Sequence, residues 1–199
     1  MKGRVISNFT PQDKIVSVNN KFGNTNIKGQ QGTTRVLFDS LPLDGSTELR
    51  FFENSSSRQY PFTNIGAEGN RLNVGETFVV QKVYFGIMGI DPDTGAFVDF
   101  SNLGNAGPFD FMNGEWSFLI ANSQVIKQLP FASCFNGADN VTSVNGNDEA
   151  FSTFTDIVIP PLLEYVLTYR VNPYVARDAA RLVCFIEGTA GILAPQTTF

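Results

Sequence analysis

Apolar residues alternate one by one through long stretches of this 199-residue chain, and no other feature constrains its fold as tightly. In "LLEYVLTYRVN", Tyr165, Leu167, Tyr169 and Val171 share one parity against Glu164, Val166, Thr168 and Arg170. "ARLVCFIEG" sets Leu182, Cys184 and Ile186 against Arg181, Val183, Phe185 and Glu187. "GEWSFLIAN" places Trp116, Phe118 and Ile120 together, and "TELRFFE" places Leu49 and Phe51 opposite Glu48 and Arg50. In "TFVVQKVYFGIMGI" the parity is Val79, Val83, Phe85 and Ile87. A period of two sends successive side chains to opposite faces of a strand. Several of these strands are apolar on both faces, as expected where one face packs inside and the other meets a partner.

Turn residues punctuate the pattern. "TRVLFDS" ends at "LPLDGS", "DPDTG" reads as a hairpin turn into "AFVDFS", and "FSTFTDIVIPP" stops at a double proline. With "SQVIKQLPF", about eight strands follow from the punctuation. The one helix-like piece is "VARDAAR". The linkers 54–75, 101–114 and 132–150 are too long for tight hairpins and suit Greek-key crossings. The chain has 19 Phe, 18 Gly and 10 Pro but only 17% charged residues, a balance that favours strands and turns over salt-bridged helices. The expected fold is all-β: a jelly-roll β-sandwich of about eight antiparallel strands over residues 36–199, behind an extended N-terminal arm over residues 1–35.

Charge is uneven along the chain. Residues 1–35 hold six cations against Asp13, a net +5, while residues 36–199 hold eight cations against 18 acids, a net −10. The arm is rich in Asn, Gln, Gly and Thr and has little pattern beyond "KIVSV". Lys14, Lys21 and Lys28 are its candidate contact residues. They are spaced, not clustered, so an acidic neighbour of the same kind is the expected attractor, with genome phosphates as the alternative. No stretch reads as a signal peptide or a membrane span, so the expectation is a soluble protein made in a cytoplasm.

Catalytic signals are weak. The chain has no histidine, which removes the commonest general base and metal ligand. Cys134 and Cys184 fit no metal spacing and are expected as thiols, Cys184 as a core residue. "DPDTGAFVD" offers Asp91, Asp93 and Asp99, but Ala96 and Asn102 stand where a calcium loop needs Gly and Glu. Asp148 and Glu149 sit in the polar stretch "SVNGNDEAF" and read as a solvated turn. No phosphate loop or serine elbow is present. The expectation is no enzyme, no cofactor and no metal.

Aromatic residues outside the clear strands are the other candidates: Tyr60, Phe62, Phe109, Phe111, Phe131 and Phe135. Loop rings stack on sugars, anchor interfaces or fold back as satellite clusters. Of these readings, interface or burial is favoured over sugar binding. In the linker between "TELRFFE" and "TFVVQKVYFGI", Arg58, Tyr60 and Phe62 are read as loop anchors or as contacts to a neighbouring subunit.

The stretches "FFENSSSRQYPFTNI" and "NRLNVGETFVVQKVYFGI", with the steps Thr63-Asn64-Ile65 and Leu72-Asn73-Val74-Gly75-Glu76, resemble jelly-roll capsid proteins of bacteriophages, notably the tailless icosahedral phages. "GEWSFLIANSQVIKQLPF", "DIVIPPLLEYVLTYRV" and "RLVCFIEGTAG" extend the resemblance over residues 45–190. The chain has room for one jelly roll, not two. The resemblance implies a capsid or other virion structural protein that acts by self-assembly, with copies of itself and other virion proteins as partners and the virion as its location. The alternative is a carbohydrate-binding β-sandwich of a fibre or secreted protein.

Overall fold

The computed structural model describes residues 30–53, 58, 60–65, 69–90, 94, 96–98, 113–134 and 151–193. Among the described residues there are nine strands: β1 (Gln30–Leu43), β2 (Glu48–Phe51), β3 (Thr77–Ile90), β4 (Phe97–Val98), β5 (Glu115–Ile120), β6 (Ser123–Pro130), β7 (Phe151–Ile159), β8 (Tyr165–Arg170) and β9 (Arg177–Leu193). They form two antiparallel sheets. Sheet A runs β1-β9-β3, with β7 and β4 sharing the far side of β3, and sheet B runs β2-β8-β5-β6. The architecture is therefore an all-β sandwich, as the alternation requires.

The inner faces meet in one core. Phe85 sits at its centre, with Phe51, Trp116, Phe131 and Tyr169 around it at centroid distances of 5.9, 5.9, 4.8 and 6.4 Å. Leu182, Cys184 and Ile186 from β9 and Leu167 from β8 are fully buried beside them. Six phenylalanines, Phe51, Phe52, Phe78, Phe85, Phe118 and Phe131, are buried in this core. Phe131, a loop aromatic in the sequence, belongs to this main cluster and not to a satellite. Cys134 accepts a hydrogen bond from the Trp116 indole N–H at 3.1 Å, and neither cysteine is in a disulfide.

Three sequence expectations need correction. First, Gln30–Arg35, assigned to the arm, are the first part of β1 and pair with Leu193–Gly188 of β9. The β1 side here, "QQGTTR", is polar apart from its glycine, so it carries no apolar pattern to announce a strand. Second, "VARDAAR" is not helical: from Arg177 onward it is the start of β9, with Ala180 paired to Gly89 and Arg181 to Met88. Pairing overrides the local helix propensity of its alanines. Third, a bulge between Val80 and Lys82 shifts the register of β3. Phe78 and Val80 point into the core before it and Val83, Phe85 and Ile87 after it. Val79 is therefore buried on the other face, although its parity matched Val83.

Candidate functional site

The segment between β2 and β3 does not form a hairpin; it seals an edge. β2 stops at Phe51 because Phe52 adopts a left-handed backbone, φ 70°, a conformation that costs an ordinary residue about 1–2 kcal/mol. The turn aims the Phe52 N–H at Asp39 on β1, where it donates to Oδ2 at 2.6 Å. Further on, Phe62–Asn64 lie along the outer edge of β1. Ser40 N–H donates to the Phe62 carbonyl at 2.9 Å, Asn64 N–H to the Phe38 carbonyl at 3.3 Å, and Phe38 N–H to Asn64 Oδ1 at 2.8 Å. Thr63 Oγ1 adds a bond to the Phe38 carbonyl at 2.9 Å. An uncovered edge strand invites pairing with other chains, and these bonds occupy that part of it. The segment then reaches β8, where Tyr165 N–H donates to the Asn70 carbonyl at 3.1 Å and Arg71 pairs with Glu164.

Asp39 holds this seal in place. Its side chain is fully buried, and Arg58 grips it with Nη2 at 2.6 Å from Oδ2 and Nε at 3.2 Å from Oδ1. A second Nη2 bond, at 3.3 Å, reaches the Glu53 carbonyl. Burial raises the Asp39 pKa above the usual carboxylate range, while the Phe52 N–H and Arg58 pull it back down. Arg181 of β9 approaches on the outer side. It donates to Ser40 Oγ at 3.2 Å and to the Ser40 carbonyl at 2.9 Å, and its guanidinium lies 4.6 Å from the centre of the Phe62 ring. Its own burial, together with the nearby Arg58 cation, lowers its pKa, and Asp39 opposes that.

The three loop residues singled out in the sequence thus take different roles. Arg58 is turned inward onto Asp39. Phe62 is half-buried beneath Arg181. Tyr60, 77% exposed, is left for solvent or a partner. Asp39 and Arg181 complete the cluster, and neither is marked in the sequence as a neighbour of Arg58. A lone acid on an apolar parity, with a cation nineteen residues on, was the available signal. Lys14, Lys21, Lys28, Asp91, Asp93, Asp99, Phe109, Phe111, Phe135, Asp148 and Glu149 lie outside the described residues.

Beside the cluster, the outer face of sheet A is unusually apolar. Phe38, Phe185 and Tyr84 stand in register across β1, β9 and β3. Tyr84 and Phe185 stack at 4.9 Å with ring planes 13° apart, and Phe38 lies 6.1 Å from Phe185. Val183, next along β9, is fully buried, and burial with the neighbouring Glu187 pushes the Tyr84 pKa up. Sheet B carries instead two open polar clefts. One of about 480 Å³ is lined by Asn113, Glu115, Gln128 and Arg170; the other, of about 420 Å³, by Arg50, Glu53, Asn122 and Glu164. Among the described residues no group of three or more His, Cys, Asp or Glu is placed to hold a metal. None of their helices is long and apolar enough to cross a membrane. Comparison with protein-family models, with curated proteins and with solved structures returns no match.

Proposed function

We propose that this chain is a bacteriophage virion structural protein, a single jelly roll whose activity is self-assembly into the particle shell. The observation that carries the reading is the strand order. β1-β9-β3-β7 faces β2-β8-β5-β6, with β4 as a short addition to β3. The chain changes sheet after β1, β2, β4, β6, β7 and β8, an alternation that supports reading the sandwich as two Greek keys wound into a jelly roll. The resemblance of residues 45–190 to phage capsid proteins and the apolar outer face of sheet A support the same reading. In it, copies of the chain and other virion proteins are the partners. The segment bearing Lys14, Lys21 and Lys28 reaches an acidic neighbour, with the genome as the other possible target.

Tyr60 is the observation on the side of a sugar-binding module. Sugar platforms present ring faces to the ligand. Tyr84 and Phe185 instead stack on each other and offer edges, which favours a protein partner.

Electron microscopy of the concentrated, purified chain is the test, with discrete multi-subunit assemblies as the expected result. A chain that stays monomeric at every concentration and is absent from purified particles contradicts the proposal. Deleting residues 1–29, which precede β1, is expected to leave the melting temperature nearly unchanged while weakening assembly; an unfolded product contradicts the role given to that segment.

A further inference from the structure

The apolar row on sheet A carries a pattern of charge that identifies its occupant. All nine strands among the described residues belong to the two sheets, so none of the described strands forms a third layer over Phe38, Phe185 and Tyr84, which are each partly exposed. One step along the bulged strand, on the same outer face, Lys82 of β3 stands opposite Glu187 of β9. The face therefore holds two neighbouring strands with complementary residues at two heights: Tyr84 beside Phe185, and Lys82 beside Glu187.

We infer that this face is the contact between two copies of the chain, related by a two-fold axis that runs parallel to the strands between β9 and β3. Such an axis keeps each residue at its own height and exchanges the two strands. Phe185 meets the partner's Tyr84, and Glu187 meets the partner's Lys82, each contact occurring twice. Opposite charges meet and like charges do not, which fixes the register as well as the partner. Aromatic anchors ringed by polar residues are also the composition of interface centres. Two sheets stacked this way lie about 10 Å apart, a spacing that interleaved side chains fill. The inference rests on the assembly reading and names the surface it uses.

The charge pair supplies a test that separates the two. Sedimentation velocity is run on the full chain, on Lys82→Glu, on Glu187→Lys, and on an equimolar mixture of these variants. The wild type is expected to associate. Each variant alone brings like charges together across both contacts, and its association falls by roughly tenfold or more. The mixture pairs Glu at 82 with Lys at 187 across the contact, so association returns. Each variant keeps its internal like-charge neighbours in the mixture, so recovery cannot come from repair within one chain. If the variants associate like wild type, or the mixture stays dissociated, the proposed face is wrong while assembly stands. If the wild type itself is monomeric throughout, the assembly reading fails.

Discussion

On sheet A the carboxylate of Asp39 is fully buried and held by Arg58, whereas on sheet B the pairs Glu48–Arg170 and Arg50–Glu53 lie in solvent. All three are arginine–carboxylate contacts of 2.6–3.0 Å, so distance does not distinguish them. Their surroundings do. A buried acid deprived of its partner keeps the full desolvation cost of its charge, while an exposed one returns to water. The outer faces divide the same way. Sheet A turns Phe38, Phe185 and Tyr84 outward, and sheet B turns Glu48, Arg50, Ser117 and Arg170 outward. One side of the sandwich holds a loop and turns an aromatic row outward, while the other turns charged and polar side chains outward.

The contrast is broken most severely at Arg58. Arg58→Ala is expected to destabilise the fold by about 3 kcal/mol in urea titration, because Asp39 is left buried without its cation and with two donors fewer. A loss no larger than that of a surface pair would mean that the pair is not buried in solution. Asp39→Asn comes next, at about 2 kcal/mol, since the amide keeps the shape but sets its NH2 against an N–H donor of Phe52 or Arg58 that a carboxyl oxygen accepts from.

That variant also sharpens the pH dependence. The folded pKa of Asp39 is raised, so the folded state binds its proton more tightly than the unfolded state. The group's contribution is fully present below the unfolded pKa and is lost as pH rises through the folded one. The stability gap between wild type and Asp39→Asn is therefore expected to widen as pH is lowered from neutrality towards roughly pH 4. A gap that narrows towards acid would show that the Arg58 cation, not burial, dominates at this carboxylate. The smallest effect is expected at Arg170→Ala, below about 1 kcal/mol and reduced further by salt.

The sheets were legible where alternation and punctuation agreed. β3 begins after Gly75-Glu76 and ends before "DPDTG", and its bounds Thr77–Ile90 match the pattern in the sequence. Trp116, Phe118 and Ile120 of β5, and Tyr165, Leu167 and Tyr169 of β8, face inward as their parity requires. Parity failed at Val79, because a bulge inserts a residue without altering local composition. The early residues of β1 were hidden because "QQGTTR" is held by pairing with β9 and not by a hydrophobic face. Arg58 was legible as a residue of interest, but its partner was not. Asp39 lies on the inward parity of an unremarkable strand, and only the folded chain brings the two together. The row of Phe38, Phe185 and Tyr84 was equally invisible, since its members come from three strands distant in sequence.

The most direct measurement is a high-resolution electron-microscopy reconstruction of the associated protein. The account predicts that sheet A faces sheet A, with Phe185 in van der Waals contact with the partner's Tyr84 and Glu187 beside the partner's Lys82. Copies joined through the polar face of sheet B, with the Phe38, Phe185 and Tyr84 row left in solvent, would contradict it.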